Sequence, residues 1–187
     1  LHHGNGTQHS FYERADVLYF SSHQYPYYPG TGHMTETGSG PGKGFTVNVP
    51  LGAGPGDGEY MRIFEEILEP IALEYRPDIV FVSAGFDIYF QDPLGGMQVT
   101  PKGFANLAKI ILEFAEKICD GRVVFVLEGG YHLEGLRDSA REVLKTMGGD
   151  LLRQGRDEKI RQRFDPSLVD SIIKKVKETQ KSFWKNL

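Results

Sequence analysis

The chain has 187 residues with 40% hydrophobic content, the length of one domain and enough apolar side chains to bury a core. Its formal charge of −4 is unevenly divided: from Asp150 onward ten Lys and Arg stand against six Asp and Glu, while residues 1–149 hold eleven against nineteen. The acidic body argues against nucleic acid as the main partner, no run is long and apolar enough for a membrane span, and the lone Cys119 excludes a disulfide framework and fits a reducing, cytoplasmic compartment.

Strand and helix signals alternate along the chain. Asp16 to Phe20 is a short β-rich run ending at Ser21-Ser22-His23, and Phe45 to Pro50 is another. The Gly-, Pro- and Tyr-rich stretch from Gln24 to Gly44 has no helical period, and a loop of that length in a compact domain is often a binding rim. Tyr60, Ile63, Phe64, Ile67, Leu68 and Ile71 recur at helical spacing, with Pro70 as a kink or break. Ile79 to Val82 reads as a fully buried strand and Val123 to Leu127 as a second one. Between them Phe104, Leu107, Ala108, Ile111, Leu112 and Ala115 mark an amphipathic helix, begun by Thr100 as N-cap and Pro101 at N1. Leu133 to Met147 is a further helix.

Apolar strands alternating with helices predict an α/β fold with a parallel sheet covered by helices on both faces. Ligands gather at the carboxyl ends of such strands. Ser21-Ser22-His23, Ala84-Gly85-Phe86-Asp87 and Glu128-Gly129-Gly130-Tyr131 are all expected there. Residues 1–149 form the body and 150–187 a basic extension, whose Leu168, Ile172 and Val176 mark a helix face for docking on the body or on a neighbouring copy in a homo-oligomer.

His2 and His3 are adjacent, and side chains of adjacent extended residues point to opposite faces. One of them is therefore open to metal binding while the other packs or hydrogen-bonds. Asp87, after a buried strand and a small-residue turn, is either a ligand or a turn carboxylate. Tyr131 follows Gly129-Gly130, so its backbone can approach a ligand closely; equally, it can be a packed Tyr at a strand end. His23, His33 and His132 read as structural, and Asp92 before Pro93 as a turn former.

Together His2-His3-Gly4-Asn5-Gly6-Thr7-Gln8, Tyr28-Pro29-Gly30-Thr31-Gly32, Ser83 to Asp87, Asp92-Pro93-Leu94-Gly95-Gly96 and Leu127 to Tyr131 resemble, in family order, the histone deacetylase family of the arginase–deacetylase fold. The resemblance covers roughly residues 1–149, and Asn5, Thr7-Gln8 and Gly85-Phe86-Asp87 look like its class II branch. It implies a zinc ion held by Asp, His and Asp, with His2 and Asp87 as two of the ligands. The third ligand, and the histidine pair that moves protons, would lie before Leu1, so the chain reads as the C-terminal portion of a longer protein and is expected to be inactive alone. Such a ligand set leaves zinc an open position for water and a substrate carbonyl.

The implied reaction is zinc-assisted hydrolysis of the acetyl group on a lysine side chain, with Tyr131 donating to the developing oxyanion. Tyr28, Leu94 and Gly130 would line the substrate channel, Tyr28 standing where the family most often has Phe. The resemblance also implies potassium at two sites. One would use the His2 carbonyl, the Ser21 hydroxyl and the Ser22 carbonyl; the other would use the carbonyls of Phe11, Arg14, Val17 and Phe45. Two rivals remain: a deacetylase of small acetylated amines such as acetylpolyamines, and a non-catalytic piece that binds a partner or its own missing N-terminal part.

Overall fold

The computed structural model describes residues 1–149 and 165–187. After a first helix α1 (Asn5–Phe11), strand β1 (Tyr19–Gln24) pairs in parallel with β2 (Thr46–Leu51). Helix α2 (Asp57–Ile63) passes through a π turn (Phe64–Leu68) into α3 (Glu69–Tyr75). Strand β3 (Val80–Ala84) then pairs in parallel with β4 (Val123–Leu127), with helix α4 (Pro101–Cys119) between them in sequence and α5 (Leu133–Met147) after. The final helix is α6 (Asp170–Gln180).

Local chemistry accounts for several boundaries. Thr100 caps α4, its side chain accepting from the Gly103 N–H at 3.3 Å, with Pro101 at N1 as expected. Asp57 ties that cap to α2 by accepting from the Thr100 N–H and hydroxyl at 2.7 and 2.6 Å. Pro70 does not end the helix that contains it. The helix widens one turn earlier, where the Glu69 N–H reaches the Phe64 carbonyl, so the missing proline donor falls just past a π turn.

The strands depart from expectation in three ways. The described residues form two separate two-stranded sheets, β1-β2 and β3-β4, in place of one continuous sheet. The run Ser21-Ser22-His23 lies inside β1, because its ladder with β2 continues from Tyr19 opposite Thr46 to Gln24 opposite Leu51. Strands β3 and β4 are not fully buried. Val80, Val82, Val123 and Phe125 pack toward the core, whereas Phe81 is 68% and Val126 51% exposed. Among the described residues, helices therefore cover one face of that sheet only. β2, by contrast, is buried along its whole length.

Of the expected extension, residues 150–164 lie outside the described residues. Residues 165–187 join the same core through Val169, Ile173, Val176 and Trp184. The docked face is offset from the expected one: Leu168 is exposed and Ile172 only half-buried, while Gln180 is fully buried. The offset follows from two anchors on the strand entering β2, Gln180 Nε2 donating to the Thr46 carbonyl at 3.0 Å and Trp184 Nε1 to the Gly44 carbonyl at 3.1 Å. Arg62 bridges Asp170 and Glu66, and Lys177 also meets Glu66 at 3.2 Å, closing the seam with partly exposed ion pairs that add little stability each. No helix among the described residues is long and apolar enough to cross a membrane.

Candidate active site

Three chain segments meet at Asp87. The β3-β4 ladder runs on past both strand ends, with Glu128 N–H donating to the Ala84 carbonyl at 3.1 Å and Phe86 N–H to the Gly129 carbonyl at 2.7 Å. This draws Gly129 to Tyr131 alongside Asp87. The third segment is the start of the chain, held beside the end of β1 by Gln24 N–H donating to the Leu1 carbonyl at 2.9 Å. Asp87 is 2% exposed, and its carboxylate is met on one oxygen by the Leu1 backbone nitrogen at 3.0 Å and on the other by His2 Nδ1 at 3.2 Å. A carboxylate this buried needs positive charge or donors around it.

The adjacent histidines point to opposite sides, as expected for neighbours, although neither lies in a strand. His2 faces Asp87, stacks on Tyr27 with ring centroids 5.9 Å apart and meets Tyr28 edge-on at 5.9 Å. His3 turns the other way into a buried polar network. Its Nε2 lies 2.9 Å from Gln8 Oε1 and its Nδ1 2.7 Å from Thr31 Oγ1. Gln8 in turn donates to Glu36 at 2.6 Å, and Glu36 accepts from the Gly32 and His33 N–H groups at 3.0 and 2.9 Å. Burial pushes the His3 pKa down, so the ring is neutral and serves this network.

His23 is fully buried, its ring 4.8 Å from that of His3. Burial first, then repulsion from His3, push its pKa down to about 4 against the pull of the Gly32 carbonyl. A carbonyl can only accept, so His23 Nε2, 2.9 Å from Gly32 O, carries the proton. Nδ1 is then bare and accepts from the Ser21 hydroxyl at 2.9 Å. The Ser21 oxygen therefore acts as an acceptor toward its other neighbours. His132 caps α5, its Nδ1 accepting from the Gly135 N–H at 3.0 Å, and His33 meets Thr35 at 2.8 Å.

The rim carries exposed aromatic and aliphatic side chains: Tyr28 at 75%, Tyr131 at 52% and Leu94 at 44%. Tyr27, which sequence reasoning passed over, joins two of its parts, for its hydroxyl donates to the Leu94 carbonyl at 2.6 Å while its ring stacks on His2. Its adjacency to Tyr28 was the only signal. Gly130 has φ +144°, a left-handed-side conformation that favours glycine, and any Cβ there would stand 3.1 Å from that of Phe86. Asp92 does shape a turn, accepting from the Leu94 N–H at 3.0 Å, but it also accepts from the N–H groups of Tyr131 and His132. At the expected second cation site, the Phe11 and Phe45 carbonyls accept from the N–H groups of Arg14 and Tyr19 at 3.0 and 2.8 Å, each keeping one lone pair.

A family profile describing the histone deacetylase domain matches residues 1–147. The chain belongs to the histone deacetylase family. It is 42% identical over 193 residues to the "Probable deacetylase" of Archaeoglobus fulgidus, covering 98% of this chain and 54% of that protein. To "Histone deacetylase 14, chloroplastic" of Arabidopsis thaliana it is 45% identical over 150 residues, covering 80% of this chain and 36% of the relative. Among solved structures, that of the histone deacetylase Clr3 superposes with a TM-score of 0.89 at 37% identity, over 98% of this chain and 30% of the other. The fold is thus the α/β fold of histone deacetylase domains, of which this chain spans about half the length of the first relative or less.

The donors at Asp87 fit a metal ion in kind. An imidazole nitrogen and a buried carboxylate oxygen converge, and Gly129 leaves the carboxylate a side open that a Cβ would fill. Among the described residues no group of three or more His, Cys, Asp and Glu is gathered there.

Proposed function

We propose that this chain supplies part of the active site of a zinc-dependent deacetylase that hydrolyses acyl groups from lysine side chains of proteins or peptides. The observation that carries the reading is the 3.2 Å approach of His2 Nδ1 to the buried Asp87 carboxylate, in a chain of the histone deacetylase family. His2 and Asp87 are the two ligands contributed here, and a further carboxylate from outside these 187 residues completes the set. Bound there, zinc supplies Lewis acidity toward the acyl carbonyl and acidifies water.

The net reaction adds water across the amide: the C–N bond breaks, a C–O bond forms, and acetate leaves with the lysine amine free. Within this chain, Tyr131 donates its phenol proton in a hydrogen bond to the carbonyl oxygen as that oxygen gains charge. Tyr28 and Leu94 flank the acyl-lysine stem, and Gly130 lets it pass close to backbone. Leu94 places no carboxylate on the rim, which favours acyl-lysine over an acetylpolyamine with its extra positive charge. Potassium beside His2 is supported by the Ser21 hydroxyl, whose proton is committed to His23, which leaves its oxygen to act as an acceptor. The open face bearing Phe81 and Val126 suits the remainder of a histone deacetylase domain as its partner.

The deciding experiment is Asp87→Ala in the full-length protein. Zinc content and hydrolysis of an acetyl-lysine peptide should fall together with the circular dichroism spectrum unchanged. Stoichiometric zinc in the variant would sink the assignment. Residues 1–187 alone should not hydrolyse the peptide, and robust turnover by them would show that the third carboxylate is dispensable.

A further inference from the structure

We infer that Asp92 is a positioning residue: its carboxylate locks the backbone of Tyr131 and the channel wall at Leu94 into one frame, and so sets where the Tyr131 phenol stands. The inference rests on Tyr131 being the oxyanion donor. Asp92 is 6% exposed and uses both oxygens. Oδ1 accepts from the Leu94 N–H at 3.0 Å, while Oδ2 accepts from the Tyr131 N–H at 2.8 Å and the His132 N–H at 3.2 Å, across 39 and 40 residues of chain.

The Tyr131 side chain is half exposed in this chain, so the backbone anchor bears directly on where its phenol stands. The residue just before it, Gly130, has the freedom of a positive φ and could not hold the loop by itself. Asp92 can, because it is braced on its own side. Its N–H donates to the Tyr89 carbonyl at 2.9 Å, and the Tyr89 ring packs 5.2 Å from that of His132, the residue that caps α5. Charge-assisted hydrogen bonds to backbone N–H groups are about twice as strong as neutral ones, which suits a carboxylate better than an amide here.

Asp92→Asn separates this role from that of a local turn. Asparagine forms the same turn with Leu94, so a turn-only residue tolerates it. An amide, however, keeps one acceptor oxygen and turns an NH2 toward an N–H, so it cannot hold Leu94 and the Tyr131–His132 pair together. In the full-length protein, the wild-type amides of Leu94, Tyr131 and His132 should be protected from hydrogen exchange. In Asp92→Asn, protection should vanish on one side of the tie with zinc content retained. kcat should fall by about 10- to 100-fold with KM nearly unchanged, the range a displacement of roughly 1 Å can cost. Fast exchange at Tyr131 and His132 in the wild type overturns the inference whether or not the variant folds. So does an Asp92→Asn enzyme with unchanged kcat beside an inactive Tyr131→Phe enzyme. A fully active Tyr131→Phe enzyme would instead reject the proposed function, while the exchange pattern would still show whether Asp92 holds the loop.

Discussion

Gly129 runs so close to Asp87 that a Cβ on it would fall 2.2 Å from Oδ2 of the carboxylate. No backbone conformation is at issue here; the demand is for space. Gly129→Ala must displace the Asp87 carboxylate oxygen that meets His2. Zinc affinity of the full-length protein should drop by on the order of 10- to 100-fold, as when a ligand's support is removed. Gly6→Ala is the control, because a Cβ there meets nothing within 4 Å and lies inside α1. Equal zinc affinity in the two variants would contradict the close fit at Asp87.

Tyr131→Phe removes a donor whose bond strengthens only as the carbonyl oxygen gains negative charge. In the full-length enzyme kcat should fall by about 10²–10³, or roughly 3–4 kcal/mol, with zinc content and KM nearly intact. A loss of only a few-fold would mean that Tyr131 is a packing residue.

Leu94 stands exposed on the rim, its carbonyl held by Tyr27. Leu94→Glu adds a carboxylate without touching that backbone bond. It should raise kcat/KM for acetylpolyamine relative to acetyl-lysine peptide, and an unchanged ratio would remove Leu94 as a selector.

His23 makes acid stability predictable in sign. Its folded pKa is lowered from 6.5 to about 4, so over that window the unfolded chain binds a proton the folded chain refuses. Stability from this group is therefore full above pH 6.5, declines as the pH falls, and levels off near 4. Its extent is bounded at about 3 kcal/mol. His3, lowered by burial, acts in the same direction. Urea midpoints measured between about pH 7 and 4.5 should fall more steeply for the wild type than for His23→Gln. Parallel curves would mean that His23 is not buried neutral.

Much of this molecule is legible in short stretches of chain. Thr100 with Pro101 announces α4 because a helix cap is made by residues three apart, and His2 and His3 diverge because alternation is a property of neighbours. The motifs bearing His2, Asp87 and Tyr131 announced the family for the same reason: each is a local string. What escaped is non-local. The apolar runs of β3 and β4 show what burial would favour, but whether Phe81 is covered depends on what packs there. Val169 and Ile173 displaced Leu168 and Ile172 from the docked face because Gln180 and Trp184 found carbonyls at Thr46 and Gly44, far away in sequence. Asp92 read as a turn former because its nearest partner is two residues on; its tie to Tyr131 needed the two strand ends side by side. Residue types and their spacing determined which chemistry the chain carries, whereas only the tertiary structure decided which groups hold one another in place, because hydrogen bonds and packing act across distances in space that the order of the residues does not encode.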